Sequence, residues 1–111
     1  MTAGSVSSGK IVLNGNAKLV GTQKAVDVTN YDILTIKGNI ITSTGECLTA
    51  MVSTKKASFN ASSAASGSVY TVGSFTKEIP LSGVSGNVYI ALYTQGGGGT
   101  NSAEVTSVTL S

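Results

Sequence analysis

Acidic side chains are the first candidates for acid–base chemistry in this chain, because it contains no histidine. There are five acids, at positions Asp27, Asp32, Glu46, Glu78 and Glu104. A glycosidase requires two carboxyl groups about 5 to 9 Å apart across a cleft. Glu78 and Glu104 could approach each other if their strands were paired. Isolated acids of this kind are more often solvated strand ends, so we predict that the protein is not an enzyme.

The residues that could bind a metal ion are few. Cys47 is the sole cysteine, and the absence of other soft ligands excludes a zinc site. Asp27, Asn30 and Asp32 carry oxygen atoms of the type that calcium prefers. A turn in which Asn and Asp bond their own backbone accounts for the same residues, and we predict no metal and no cofactor. Cys47 cannot form an internal disulfide and is expected to be a small buried hydrophobic residue.

Aromatic residues could bind a sugar, because sugar rings commonly stack on aromatic faces. The chain has no tryptophan, but Tyr89 and Tyr93 share one face of a predicted strand. With Asn87 and Gln95 they could line a groove for a glycan. The alternative is that these tyrosines are amphipathic, with rings in the core and hydroxyl groups at its rim. The residues leave both interpretations open.

Charge is scarce in this sequence. Only 11% of the 111 residues are charged, against roughly 25% in a typical domain. All seven basic residues are lysines, and without arginine or a dense basic cluster we predict no nucleic-acid binding. The surface is instead expected to be neutral and rich in hydroxyl groups, which suits packing against neighbouring protein copies.

The chain is predicted to be one domain, residues 10–111, preceded by a flexible arm, residues 1–9. The arm is small and polar, so it would order only when a partner holds it. It lacks the basic and apolar regions of a secretory signal. No apolar run approaches the ~18 residues of a membrane span. We therefore expect synthesis in the cytoplasm, with no membrane association.

Apolar residues alternate with polar ones along most of the domain, which predicts strands rather than helices. The predicted strands cover residues 10–13, 16–20, 25–28, 33–37, 47–53, 69–72, 75–81, 88–93 and 102–110, with a short edge piece at 40–41. Asn14-Gly15 predicts a hairpin between the first two. Gly38-Asn39 and Gly73-Ser74 are read as breaks. About eight short strands separated by turns indicate a single antiparallel β-sandwich.

Particular residues refine this prediction. Pro80 cannot donate a ladder hydrogen bond and is expected at a sheet edge or at a bulge. The run 88–93 is apolar on both faces and is expected to be central. Val105 and Val108 are three residues apart, so in a regular strand their side chains would point to opposite faces of the sheet. A bulge is therefore predicted near Thr106 or Ser107, where one extra residue would bring both side chains to the same face. Residues 54–68 are predicted to form a long loop, with Phe59 as an anchor in the core.

Four segments carry a resemblance to a known family: VDVTNYDILTI at 26–36, KEIPLSG at 77–83, GNVYIALY at 86–93 and AEV at 103–105. They resemble the jelly-roll, carbohydrate-binding-module-like (galactose-binding-like) domain found in bacteriophage virion proteins and bacterial surface enzymes. In that family the first segment corresponds to a strand pair and the next two to a hairpin. The resemblance implies an antiparallel jelly roll of eight to ten strands.

The resemblance also implies a function. A free-standing copy with an N-terminal arm looks like a bacteriophage virion accessory, such as a capsid decoration protein, a head fibre or a small tail component. It would be a homo-oligomer, with a trimer favoured, and would dock on capsid or tail proteins through one sheet face and arm residues such as Thr2, Ser5 and Val6. The alternative is a carbohydrate-binding module that recognises surface glycans through Asn87, Tyr89, Tyr93 and Gln95.

Overall fold

The computed structural model describes residues 10–16, 18–22, 25–43, 47–55, 64–94 and 100–111. Within these ranges the chain forms nine β-strands and no helix. In chain order they are β1 (Ile11–Asn14), β2 (Leu19–Gly21), β3 (Val26–Asp27), β4 (Ile33–Thr42), β5 (Leu48–Ser53), β6 (Ala65–Val69), β7 (Gly73–Pro80), β8 (Asn87–Thr94) and β9 (Ser102–Leu110).

The strands build two antiparallel sheets packed face to face. The first sheet has the order β1-β9-β4-β7 and the second the order β2-β8-β5-β6. Both β2 and β3 pair with β8, and Thr22, which follows β2, is hydrogen bonded to Ile90 of β8. β2 and β3 can therefore be counted as one interrupted edge strand. Counted in that way, eight strands follow the order of a jelly roll. The predicted all-β sandwich is confirmed.

Connections between consecutive strands mostly cross from one sheet to the other. The hairpin predicted at Asn14-Gly15 is wrong: β1 pairs with β9, whereas β2 pairs with β8 in the second sheet. Gly15 does adopt a positive φ of 103°. The turn therefore forms where expected but leads across the sandwich, because a local turn signal does not specify a strand partner.

The same correction applies to the segments that carry the family resemblance. β3 and β4 lie in opposite sheets, and so do β7 and β8, so neither is a strand pair or a hairpin. Gly83 and Gly86, both with φ of 78°, turn the chain from β7 across to β8. Among the described strands, only β5 and β6 are consecutive partners within one sheet.

β4 is longer than predicted, because Gly38-Asn39 does not break it. Gly38 lies inside the strand, where a Cβ atom would collide with the carbonyl oxygen of Glu104 and lie 3.0 Å from the Cα atom of Val105 on β9. The absence of a side chain allows this close approach of two backbones. Glycine at this position is therefore a packing requirement and not a strand terminator.

The predicted bulge in β9 is confirmed at Thr106. Lys37 lies opposite Ser107, but the next residue of β4 lies opposite Val105, so Thr106 is the extra residue. Its hydroxyl donates a hydrogen bond to the Lys37 carbonyl oxygen at 3.2 Å. The bulge returns the apolar residues on both sides of it to the core face.

The strand predicted at 69–72 is displaced, since β6 covers Ala65–Val69 and residues 70–72 form the connection to β7. The predicted break at Gly73-Ser74 is also wrong, because β7 begins at Gly73. β6 has the sequence ASGSV, which carries little β-propensity. Pro80 lies on β7, an edge strand of the first sheet, as predicted. Phe59 lies outside the described residues.

The core lies between the two sheets. β8 is central in the second sheet, as predicted, and its Val88, Ile90 and Leu92 point inward. Alternation in β4 also holds, with Leu34 and Ile36 buried. The largest fully buried apolar side chains come from both sheets and the connections: Leu13, Val28, Leu34, Ile36, Ile40, Leu48, Val52, Ile79, Val88 and Val105.

Candidate functional surfaces

The outer face of the second sheet carries three of the four residues predicted to contact a glycan. Asn87, Tyr89 and Tyr93 alternate along β8 and therefore project from one face. Tyr93 lies opposite Leu19 of β2 and Thr49 of β5. Asn87 is exposed and both tyrosines are half-buried. Gln95 lies outside the described residues.

The centre of this outer face is closed to solvent. Thr49, Met51, Ser53 and Ala91 are each 5% exposed or less. The Thr49 and Ser68 hydroxyl groups are hydrogen bonded at 2.9 Å. Tyr89 and Tyr93 are thus neither part of the buried core between the sheets nor a fully open aromatic platform. They line the partly exposed margin of a closed face.

The two acids proposed as a carboxylate pair lie on strands that are not neighbours. Glu78 is on β7 and Glu104 is on β9, with β4 between them. Glu104 instead forms an ion pair with Lys10, whose Nζ lies 2.9 Å from Oε2. Nor do the described ranges contain a group of three or more His, Cys, Asp or Glu residues that could hold a metal ion.

Asp27 takes part in a hydrogen-bonded turn. Its Oδ1 accepts hydrogen bonds from the Thr29 hydroxyl at 2.6 Å and from the Thr29 amide at 3.0 Å. These bonds lower the pKa of the Asp27 carboxyl, the side-chain bond most strongly. The Thr29 hydroxyl in turn accepts from the Gly86 amide at 2.9 Å. Asp27 therefore fixes the β3–β4 turn against the β7–β8 connection.

Cys47 is a buried thiol, as predicted. Its Sγ lies 3.3 Å from the Thr42 carbonyl oxygen, to which it donates a weak hydrogen bond. Burial raises the pKa of the Cys47 thiol, because the thiolate would lose its hydration. A protonated, inaccessible thiol is a poor nucleophile, so this residue contributes to packing rather than to chemistry.

A set of four exposed apolar residues, which we call the end patch, lies toward one end of the first sheet. It consists of Val12 (57% exposed), Ile41 (44%), Tyr70 (58%) and Val72 (57%). These are four of the five large hydrophobic residues that are exposed in the described part of the chain. Single exposed apolar residues are ordinary, whereas large contiguous apolar patches are typical of interaction surfaces.

Strand pairing and one hydrogen bond bring the end patch together. Val12 and Ile41 border a surface pocket of about 360 Å³, together with the Lys10–Glu104 ion pair. Ile40 pairs with Gly73, which places Ile41 beside the connection that carries Tyr70 and Val72. The Ser43 hydroxyl donates to the Tyr70 carbonyl oxygen at 2.8 Å and holds that connection against the end of β4.

Sequence reasoning missed the end patch, although part of its signal was present. In a strand with Ile11 and Leu13 directed inward, Val12 must face outward. Ile40 and Ile41 are adjacent, so one of them must also be exposed. Tyr70 and Val72 were assigned to a strand, and only the shift of β6 toward the N-terminus leaves them in a connection.

The arm residues Thr2, Ser5 and Val6 lie outside the described residues. In the ranges that the structure describes, no helix is long and apolar enough to cross a membrane. Comparison of the chain with protein families, with curated proteins and with solved structures finds no match.

Proposed function

We propose that this protein is a non-enzymatic structural accessory of a bacteriophage particle, made in the host cytoplasm and incorporated into the virion. It docks on the capsid or tail lattice as a homo-oligomer, with a trimer favoured. The observation that carries the proposal is the end patch: Val12, Ile41, Tyr70 and Val72 are exposed together on a chain with very few charges.

The physical argument concerns the cost of removing water from an interface. Burying the end patch releases water from apolar surface, which stabilises association. Near it, the charged groups Lys10 and Glu104 already neutralise each other. A partner surface therefore meets few unpaired charges, whose desolvation would oppose binding. Tyr70 adds a large amphipathic ring of the type enriched in the centres of protein interfaces.

The end patch also changes the expected orientation of docking. The sequence predicted docking through one sheet face, but the outer face of the first sheet is polar and exposed at Lys37, Asn39, Thr76 and Glu78. These side chains would each require a partner after burial. We therefore propose that the molecule attaches by the end of this face that carries the end patch, with the polar remainder of the face directed toward solvent.

Binding to purified particles tests this proposal. The double variant Ile41→Ser, Val72→Ser removes apolar surface from the end patch, and Val20→Ser is the matched control because Val20 is an exposed valine outside it. Expanded capsids and tails of the phage that encodes the chain are mixed with each protein and pelleted. Light scattering gives the oligomeric state.

We expect the wild type and Val20→Ser to co-sediment with one particle type, and the double variant to bind at least tenfold more weakly, a loss of about 1.4 kcal/mol. A wild-type monomer that binds neither capsids nor tails would refute the proposal. Equal binding by the double variant would leave attachment intact but place it outside the end patch.

Glycan binding is the second candidate function, and it is favoured by the placement of Asn87, Tyr89 and Tyr93 on one face of β8. A glycan array would show binding by the wild type, loss of binding in Tyr93→Ala and unchanged binding in Tyr70→Ala, since Tyr70 lies in the end patch. A blank array, or equal signals from the two variants, would remove this candidate.

A further inference from the structure

The two lateral edges of the sandwich differ. At one edge β6 packs against β7, and Gly67 lies so close to the first sheet that a Cβ atom there would be 2.8 Å from Cε of Lys77 and 3.1 Å from Cγ1 of Ile79. At the opposite edge, a cavity of about 190 Å³ lies between the edge strands β1 and β2 of the two sheets.

The described lining of the cavity is mostly apolar. Its floor is formed by Ile90, Leu92 and Val108, each 3% exposed or less. Its mouth lies beside Ile11, which is half-buried, and Val20, which is 37% exposed. A molecule in the cavity would therefore contact core side chains of both sheets while entering past the edge strands.

Water has few partners in this cavity. Thr22 is the one polar side chain among the described residues that line it. The Thr22 hydroxyl accepts a hydrogen bond from the Ile90 amide at 3.1 Å, and the Thr22 amide donates to the Ile90 carbonyl oxygen at 2.9 Å. A well-bound water usually needs two to four polar partners, and an engineered, enclosed apolar cavity of ~150 Å³ binds benzene or xenon. The present cavity is open at its mouth, so water can enter it, but such water is poorly held and can be displaced by an apolar molecule.

We propose that this inter-sheet cavity is a binding site for an uncharged apolar molecule of about the size of one aromatic ring. The ligand is held by contact with Ile90, Leu92 and Val108 and makes no hydrogen bond. The argument rests on the shape and chemistry of the cavity and is independent of the proposed virion function.

Benzene is the probe, and the methyl groups of isoleucine, leucine and valine report on it by NMR. We expect saturable shifts of the Ile90, Leu92 and Val108 methyl signals, while Ile79 at the opposite edge stays unchanged. Benzoate has the same ring with a charge, for which the described lining offers no partner, and it should not bind. Shifts spread evenly over the protein, or equal binding of benzoate, would overturn the proposal.

Substitutions at the mouth locate the site. The ring of Val20→Phe should occupy the cavity and weaken benzene binding about tenfold or more. Val12→Phe is the control, since Val12 is an exposed valine on the outer face of the first sheet, and it should bind benzene like the wild type. If Val20→Phe does not fold, Val20→Ala is the deciding variant. Its smaller side chain widens the mouth of the cavity, so this variant should still bind benzene and should also bind the larger p-xylene.

Two results would contradict the assignment after benzene binding has been seen. One is undiminished binding in folded Val20→Phe, or loss of binding in Val20→Ala. The other is release of a protein dimer by benzene in light scattering, which would show that a second copy fills the cavity.

Discussion

At Gly38 the backbones of β4 and β9 come together more closely than any side chain would allow. A Cβ atom there would meet the Glu104 carbonyl oxygen, which belongs to the strand ladder and cannot move alone. The neighbouring bulge at Thr106 lies on the same stretch of β9. One missing side chain therefore sets the distance between two central strands of the first sheet.

Substitution of Gly38 by alanine tests that conclusion. We expect Gly38→Ala to lower the free energy of unfolding by about 3 kcal/mol, because the added methyl group forces the two strands apart. Asn39→Ala, at the next and exposed position, should change it by less than about 0.5 kcal/mol. Urea denaturation followed by circular dichroism measures both. Equal stabilities of the two variants would show that β9 can move away from β4 without lowering the free energy of unfolding.

The Cys47 thiol predicts a pH effect on stability. Because burial raises its pKa above 9.0, the folded chain keeps the proton at a pH where the unfolded chain releases it. The free energy of unfolding should therefore fall as pH rises above 9.0. Cys47→Ala should show a shallower fall over the same range in urea denaturation. Parallel pH curves for the two proteins would contradict the prediction.

Connections between the sheets depend on buried polar groups as well as on turns. Thr94, at the end of β8, is fully buried, and its hydroxyl donates to the Gly15 carbonyl oxygen at 2.7 Å. The same hydroxyl accepts from the Lys18 amide at 2.9 Å. The Asn16 side chain binds the Asn101 amide nearby at 2.7 Å. These bonds satisfy the backbone where β1 crosses to β2.

Removal of the Thr94 hydroxyl should loosen this crossing. Thr94→Val keeps the side-chain shape but leaves the Gly15 carbonyl and the Lys18 amide without that partner, and we expect a loss of about 2 kcal/mol in stability. Amide hydrogen exchange should show faster exchange at Lys18. Thr76→Val, on the exposed face of β7, serves as the control and should show neither change.

The whole molecule is held together by pairings between distant parts of the chain. β1 pairs with β9, and Ser102 contacts Asn14 across a sequence separation of 88 residues. β4, near the middle of the chain, lies between β9 and β7. Closing such long loops costs conformational entropy before the stabilising strand contacts can form, and topologies of this kind therefore fold slowly.

We therefore expect folding in milliseconds to seconds rather than microseconds. Stopped-flow dilution from urea, followed by tyrosine fluorescence, measures the rate. The Gly38→Ala variant should fold more slowly if β4 and β9 pair in the transition state, and should only unfold faster if they pair later. Folding faster than the dead time of mixing would contradict the expectation.

Hydrophobic periodicity decided which parts of the chain become strands and which side chains face inward. The alternation in β4, the two apolar faces of β8 and the parity conflict around Thr106 are all local signals, and each was readable without coordinates. The burial of Cys47 was also predictable, because it is the sole cysteine of the chain and has no partner for an internal disulfide. The polar, alanine- and glycine-containing β6 carries no such pattern, so its position was misplaced by several residues.

Strand partners were decided by tertiary structure alone. A strand in which apolar and polar residues alternate can pair with many different neighbours in either sheet. Its actual neighbours depend on how the whole core packs. The crossing at Gly15, the length of β4 and the separation of Glu78 from Glu104 follow from that choice. So do both surfaces proposed here, because the end patch and the inter-sheet cavity each join residues that are far apart in the sequence and that no local pattern connects.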